Sequence, residues 1–144
     1  MIRKHIFGGM MLAVPTMLIL WSATRYQFGG LENAIRYIQG YDYVVSPKTI
    51  DIGMGRRGDT RTALITVRNL SFTPIHVVGA ITTCNCVAVT GLPLYIEPRQ
   101  SLVVKLVVYL ESNSTKVQQM AIILIEDGHL QRAPVVITGK VSEA

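Results

Sequence analysis

Apolar side chains follow three successive patterns along the chain: an unbroken run, a helical stripe, and then alternation with polar residues. The run is IFGGMMLAVPTMLILWSA, Ile6 to Ala23, eighteen residues without a charge in which only Thr16 and Ser22 carry polar side chains. At about 1.5 Å per residue it covers roughly 27 Å, and extending the helix to Gln27 completes a crossing of a ~30 Å hydrocarbon layer. The expectation is a transmembrane helix over residues 6–27, bent but not ended by Pro15. A cleaved signal peptide is the alternative, since Arg3 and Lys4 make a basic start. It fits less well, because Trp21 in the candidate cleavage sequence WSA stands where a small residue is needed and the run is longer than a typical signal core.

The residues flanking the run set its expected direction. Arg3 and Lys4 hold residues 1–5 in the cytoplasm, and Trp21 and Tyr26 suit the opposite interface, against which Arg25 argues weakly. Everything after the span is then expected outside the cytoplasm, in the periplasm if the membrane is a bacterial inner membrane. The stripe comes next: in GGLENAIRYIQGYDY, Leu31, Ala34, Ile35 and Ile38 fall at i, i+3, i+4 and i+7. Gly29 and Gly30 precede it and Gly40 closes it. About ten residues with one apolar face are not stable alone in water. A short amphipathic helix within a linker, residues 28–43, is therefore expected to lie on the membrane surface, on a partner, or on its own domain.

From Val44 the period becomes two. TRTALITVRN sets Ala63, Ile65 and Val67 against Thr62, Thr66 and Arg68, and SLVVKLVVYL sets Leu102, Val104, Leu106, Val108 and Leu110 against Val103, Lys105, Val107 and Tyr109. Further strands are expected at Thr49 to Gly53, Ile75 to Thr83, Val87 to Thr90, Gln118 to Glu126 and Ala133 to Val141, separated by the turn sequences RRGD, NLSFTP, TGLP, EPRQ, ESNST and EDGH. Seven short strands in about a hundred residues predict an all-β, immunoglobulin-like seven-stranded sandwich over residues 44–144. The immunoglobulin disulfide is missing, because the two cysteines, Cys84 and Cys86, are neighbours.

Several strands are apolar on both faces. If Leu102, Val104, Leu106 and Val108 point inward, Val103, Val107 and Tyr109 point outward, and in MAIILIE both Ile123 and its neighbours Ile122 and Leu124 are apolar. Read as a hairpin, this pair leaves one apolar face outside the core. Val103, Val107, Tyr109 and Ile123, with Leu31, Ile35 and Ile38 of the stripe, are the expected protein-contact residues. Loops or the short helix covering this face are the alternative.

Residues 47 to 141 carry a family resemblance. The IDIG strand, VRNLSFTPIHV with Asn69 and Pro74, the TTCNC cysteines, the IEP turn before a long apolar strand, and the closing ITGKV occur in order. Together they resemble the bacterial domain family of unknown function with a Cys-Gly-Cys signature, which is similar to Hydin-type immunoglobulin-like domains and, more distantly, to the major sperm protein fold. Asn85 replaces the middle glycine, and Arg99 stands where the family usually has glycine after the proline. The resemblance implies a seven-stranded sandwich outside the cytoplasm, often membrane-anchored and used for contacts, and it implies no reaction.

The cysteines admit three readings. In a regular strand, residues i and i+2 have Cα atoms about 6.5 to 7 Å apart, at or beyond the reach of a disulfide, so an 84–86 bond requires a bend. Asn85 tolerates the left-handed conformation better than most residues, so a bulge or turn there is the expected source of the bend. Structural thiols or a disulfide are the main expectation. Thiol redox exchange and a metal site for Cu(I) or zinc, with Cys84 and Cys86 as its candidate ligands, are the alternatives. No further ligands accompany them at a suitable spacing, since His76 and His129 lie in other strands or turns.

Charge and motif content narrow the function classes. Of 14 lysines and arginines, Arg3 and Lys4 belong to the other side of the span, which leaves twelve against nine acids, or about +3. Spread over isolated positions such as Arg36, Arg68, Arg99 and Lys140, this excess forms no stripe for nucleic acid. GRRGDTR groups Arg56, Arg57 and Arg61 around Asp59 and reads as a polar turn, with an anionic lipid or acidic surface as the alternative partner. GMGRRG looks superficially like a dinucleotide loop but sits between strands, and no nucleophile elbow is present. Glu126 and Asp127 read as a solvated turn. Asn69-Leu-Ser71 and Asn113-Ser-Thr115 match the glycosylation sequon, which matters only in a eukaryotic secretory pathway. No catalytic residue, cofactor, small-molecule substrate or nucleic acid is expected.

These readings converge on a noncatalytic accessory subunit of a larger membrane complex, tethered by one helix, whose partners are the bilayer and the other subunits. Respiratory and photosynthetic complexes collect such single-helix subunits. A periplasmic copper or thiol-redox carrier and an envelope scaffold or adhesion module are the competing expectations.

Overall fold

The computed structural model describes residues 3–111 and 115–142, with side chains described from Val14 onward except at Thr24. The chain divides into two compact units, Met1–Tyr41 and Asp42–Ala144. The first holds α1 (Arg3–Phe28) and α2 (Leu31–Ile38). Pro15 lies within α1 without ending it. Asn33 Nδ2 donates to the Phe28 carbonyl at 2.9 Å, the Phe28 and Tyr37 rings stand 5.5 Å apart, and Ala34 is buried. Leu31, Ile35 and Ile38 remain exposed on α2.

Among the described residues no helix is long and apolar enough to cross a membrane. The first part of the expected span, residues 6–13, lies outside the described side chains, as do Arg3 and Lys4. Trp21 and Tyr26 are exposed, and the Arg25 guanidinium lies 5.1 Å from the Trp21 ring centroid.

The second unit is a β-sandwich with nine strands among the described residues: β1 (Tyr43–Ser46), β2 (Thr49–Arg56), β3 (Thr60–Asn69), β4 (Ile75–Thr82), β5 (Val87–Thr90), β6 (Leu94–Ile96), β7 (Ser101–Tyr109), β8 (Lys116–Glu126) and β9 (Leu130–Ser142). One sheet runs β1-β3-β7-β5 and the other β2-β9-β8-β4-β6. All ladders are antiparallel except β2 with β9, which is parallel. The count corrects the seven strands expected. β1 and β6 are only four and three residues long and lie beside Pro47, Pro93 and Pro98, so no alternation develops in them.

The core follows the period of two. Ala63, Ile65 and Val67 of β3 and Val104, Leu106 and Val108 of β7 are buried together with Ile75 and Val77 of β4, Ala121, Ile123 and Ile125 of β8, and Val135 and Ile137 of β9. This overturns two expectations. Ile123, expected on an outer contact face, is 0% exposed, because Glu126 at the strand end faces water and odd positions of β8 therefore face in. The strands carrying Val103 and Ile123 are not a hairpin, since β7 and β8 belong to different sheets.

Two polar or close-packed points fix the sandwich. Asn69 is fully buried at the end of β3. Its Nδ2 donates to the carbonyls of Thr73 (2.7 Å) and Ile96 (3.0 Å), and its Oδ1 accepts from the Ser71 amide (2.8 Å). One carboxamide thus closes the turn after β3 and holds β6 of the opposite sheet. It also removes Asn69 as a glycan acceptor, while Asn113 lies outside the described residues. The second point is the edge pairing of β2 on β9, whose register shifts between Asp51 and Met54 at Gly53, a residue with φ of 73°. A Cβ on Gly139 would stand 2.7 Å from Ile52 Cγ1 and 3.1 Å from the Gly53 carbonyl oxygen, so this bulge seats only on a glycine.

Asn69→Ala leaves two carbonyls and an amide without their partner and is expected to lower stability by about 2–4 kcal/mol. Gly139→Ala should cost about 1–3 kcal/mol through overpacking. Urea midpoints measure both, and a neutral Asn69→Ala would show that the turn closes without its carboxamide.

Candidate functional site

Burying one side of each strand leaves apolar side chains on the outer faces. On the first sheet, Val103 (59% exposed), half-buried Val107 and Tyr109 (43%) project from β7, and Leu64 (56%) projects from β3. The register puts Val107 between Thr62 and Ala88, and Val103 opposite Thr66. The structure thus brings three of the expected contact residues onto one face, interleaved with threonines and Lys105.

The second sheet carries a more continuous apolar row. Ile81 of β4 pairs with Ile122 of β8, and Ile122 pairs in turn with Pro134 of β9. Leu124 lies between Gly79 and Arg132, and Met120 faces Val136. Ile81 is 49% exposed, while Ile122 and Leu124 are half-buried by their cross-strand neighbours. Ile81 was not singled out by its sequence. A bulge between Val77 and Gly79 turns it outward, and the sequence carries no signal for that bulge beyond Gly79 itself.

Cys84 and Cys86 are joined in a disulfide with Cα atoms 5.1 Å apart. The bend sits where the chain leaves β4 for β5 in the other sheet, and both residues are half-buried around an exposed Asn85. The flanks are held independently of the sulfurs: Thr83 donates its amide to the Met120 carbonyl (3.0 Å), Tyr109 donates its amide to the Cys86 carbonyl (2.7 Å), and Thr82 Oγ1 donates to the Cys84 carbonyl (2.9 Å). In this state the two sulfurs are bonded to each other, whereas Cu(I) or zinc would require them as thiolates. Among the described residues no group of three or more His, Cys, Asp or Glu side chains is placed to hold a metal.

A cavity of about 520 Å³ opens at one end of the second sheet, lined by Thr73, Pro74, His76, Tyr95, Glu126 and Asp127 among others. The His76 and Tyr95 rings stack in parallel at 4.1 Å, and His76 Nδ1 lies 3.6 Å from Glu126 Oε2. Burial, and then the Asp42 carboxyl through both charge and a hydrogen bond, raises the Asp127 carboxyl above its ordinary value of 3.8, with His129 opposing the shift. Burial and the Asp127 charge also raise the Tyr43 phenol. GRRGDTR forms the polar turn expected of it: Asp59 Oδ2 accepts from the Arg56 amide (2.9 Å), and Arg61 Nη2 donates to the Met54 carbonyl (2.9 Å).

No protein-family model matches the sequence, and no curated protein does. Solved structures share the fold. PapD-like domain 7 of human CEP192 superposes with a TM-score of 0.59 at 11% identity, over 72% of this chain and 87% of that one. The Escherichia coli chaperone DraB gives a TM-score of 0.55 at 11% identity, over 70% of this chain and 55% of the chaperone. The Caenorhabditis elegans MSP family member WR4 gives 0.50 at 9% identity, over 70% of this chain and 98% of that one. The sandwich is similar in fold to a PapD-like domain. At such identities the likeness is one of fold, and the chain spans about half the length of the chaperone.

The raised Asp127 carboxyl makes stability depend on pH in a definite direction. The folded state holds that proton more tightly than the unfolded chain, so its contribution is complete below about pH 3.8 and is lost as the pH rises through the elevated folded value. Asp127→Asn stays neutral, and its stability relative to the wild type is expected to rise across that window. Denaturant midpoints between about pH 3 and pH 7 test this, and a difference that stays flat with pH would contradict it.

Proposed function

We propose that this chain is a noncatalytic accessory subunit of a larger membrane protein complex, tethered by its N-terminal helix and making protein contacts through its extracytoplasmic sandwich. The observation that carries the reading is the outward apolar surface of the sandwich, Val103, Tyr109 and Leu64 on one sheet and Ile81, Ile122 and Leu124 on the other. A free soluble domain gains nothing from such rows, whereas a contact module buries them. The uncharged run Ile6 to Ala23 supports the tether, and the exposed Leu31, Ile35 and Ile38 of α2 give the first unit an apolar stripe of its own. Confinement to a membrane plane raises the effective concentration of the sandwich at its partner, so each individual contact need only be weak. The fold is compatible with this role, since the Escherichia coli chaperone DraB is similar to it in fold.

Gentle detergent extraction followed by size separation and mass spectrometry tests the proposal. The chain is expected in a defined assembly at fixed stoichiometry, and Ile81→Glu or Val103→Glu should shift it toward the free form by about tenfold or more. Both side chains are exposed, so the isolated variants should keep their stability to within about 0.5 kcal/mol. A wild-type chain that migrates alone would overturn the accessory role and leave the copper or thiol-redox carrier and the envelope scaffold, between which metal content and thiol state decide.

A further inference from the structure

The 84–86 disulfide is poorly suited to be a staple. A bond across one intervening residue closes so short a loop that its entropic gain is about half that of a 15-residue loop. The sandwich around it already has a complete core, with Ile65, Leu106, Ile123, Ile125 and Ile137 essentially inaccessible to water. The bend that carries the bond is fixed from both sides by the amides of Thr83 and Tyr109 and the hydroxyl of Thr82, none of which involves sulfur. Removing the bond therefore leaves the fold its own means of holding this crossing.

The two sulfurs are also chemically unequal. The Cys86 amide donates to Cys84 Sγ at 3.2 Å, a contact that favours negative charge on that sulfur, and no hydrogen bond to Cys86 Sγ is present among the described residues. Both residues are half-buried, packed against the core on one side and flanking the exposed Asn85 on the other, so the bond lies next to the exposed tip of the bend. A disulfide breaks faster when the departing sulfur is the better-stabilised thiolate.

We propose that Cys84 and Cys86 form a thiol–disulfide exchange centre whose substrate is a protein dithiol, with Cys86 the sulfur attacked and Cys84 the sulfur released. A thiolate of the partner attacks Cys86 Sγ, the bond between the two sulfurs breaks, and its electron pair leaves on Cys84 Sγ beside the Cys86 amide. The second thiolate of the partner then attacks the partner sulfur of the mixed disulfide and releases Cys86. Cys84 and Cys86 take up two electrons and the two protons given up by the partner, which ends as a disulfide. This activity is independent of the tethering role.

The test uses the full chain in detergent micelles with reduced bacterial thioredoxin as the probe, quenched by acid, alkylated and weighed intact. Two new thiols are expected within minutes without denaturant, with the near-ultraviolet circular dichroism retained. Thioredoxin lacking its second cysteine is expected to be trapped on Cys86, as mapped by peptide mass spectrometry. The double variant Cys84→Ser with Cys86→Ser should fold, its thermal midpoint lowered by no more than about 10 °C. Reduction only in denaturant, loss of the fold on reduction, trapping on Cys84, or a double variant that fails to fold would each overturn the proposal.

Discussion

From β1 to β8 the chain changes sheet at every connection, and only β8 and β9 are joined as a hairpin. Every other ladder therefore pairs strands that are distant in sequence, and its stability depends on packing between the sheets more than on any local turn. Such topologies close their loops before contacts reward them, so they depend on a core that is apolar and continuous. The buried rows of β3, β7, β8 and β9 supply it. The same constraint produces the outer surface, because a strand that buries alternate positions must show the ones between, and in β7 and β8 the shown positions are largely apolar too.

How much of this is written in the sequence depends on strand length. The strands Thr60–Asn69, Val87–Thr90 and Ser101–Tyr109 can be read almost residue for residue from alternation, because each carries two to four inward apolar positions between clear turns. β1 and β6 cannot. They are too short to express a period, and they exist because β3 and β4 offer them an edge. Strand parity is legible only when a polar residue marks it. Thr62 and Lys105 place Val103 and Val107 outward, whereas Ile122, Ile123 and Leu124 read alike until Glu126 is used to set the phase. The sheet to which each strand belongs is not legible at all, which is why β7 and β8 look like a hairpin. The bend at Cys84 to Cys86 is partly legible: the need for it follows from strand geometry, but the bond itself follows from the crossing that brings the Cα atoms to 5.1 Å.

Arg99 and Asn85, two residues that the sequence reading sets apart, sit in different local geometries. Arg99 has φ of 65° in the turn that the Gln100 amide closes on the Glu97 carbonyl, a conformation that glycine adopts at less cost. Its guanidinium lies 4.0 Å from the Phe72 ring centroid, a contact that glycine could not make and that offsets part of the cost of the left-handed backbone. Asn85 occupies the exposed tip of the 84–86 bend without a positive φ, so the bend forms without the left-handed residue expected there.

The crossings themselves are held by different chemistry, and this difference separates architecture from reactivity. Between β2 and β3 the turn is tied by Asp59 and Arg61 to backbone groups of Arg56 and Met54, and the Gly58 amide donates to the Leu110 carbonyl. Between β3 and β4 the tie is the buried Asn69 carboxamide, and between β6 and β7 it is the Arg99 turn under Phe72. All of these are non-covalent and open only with the strands they hold. Between β4 and β5 the amides and hydroxyl of the flanking residues already provide such a tie, and the disulfide is added to it. A covalent bond superimposed on a crossing that is otherwise secured can be broken and remade without exposing the core, and no other crossing among the described residues offers a bond that a thiol can open.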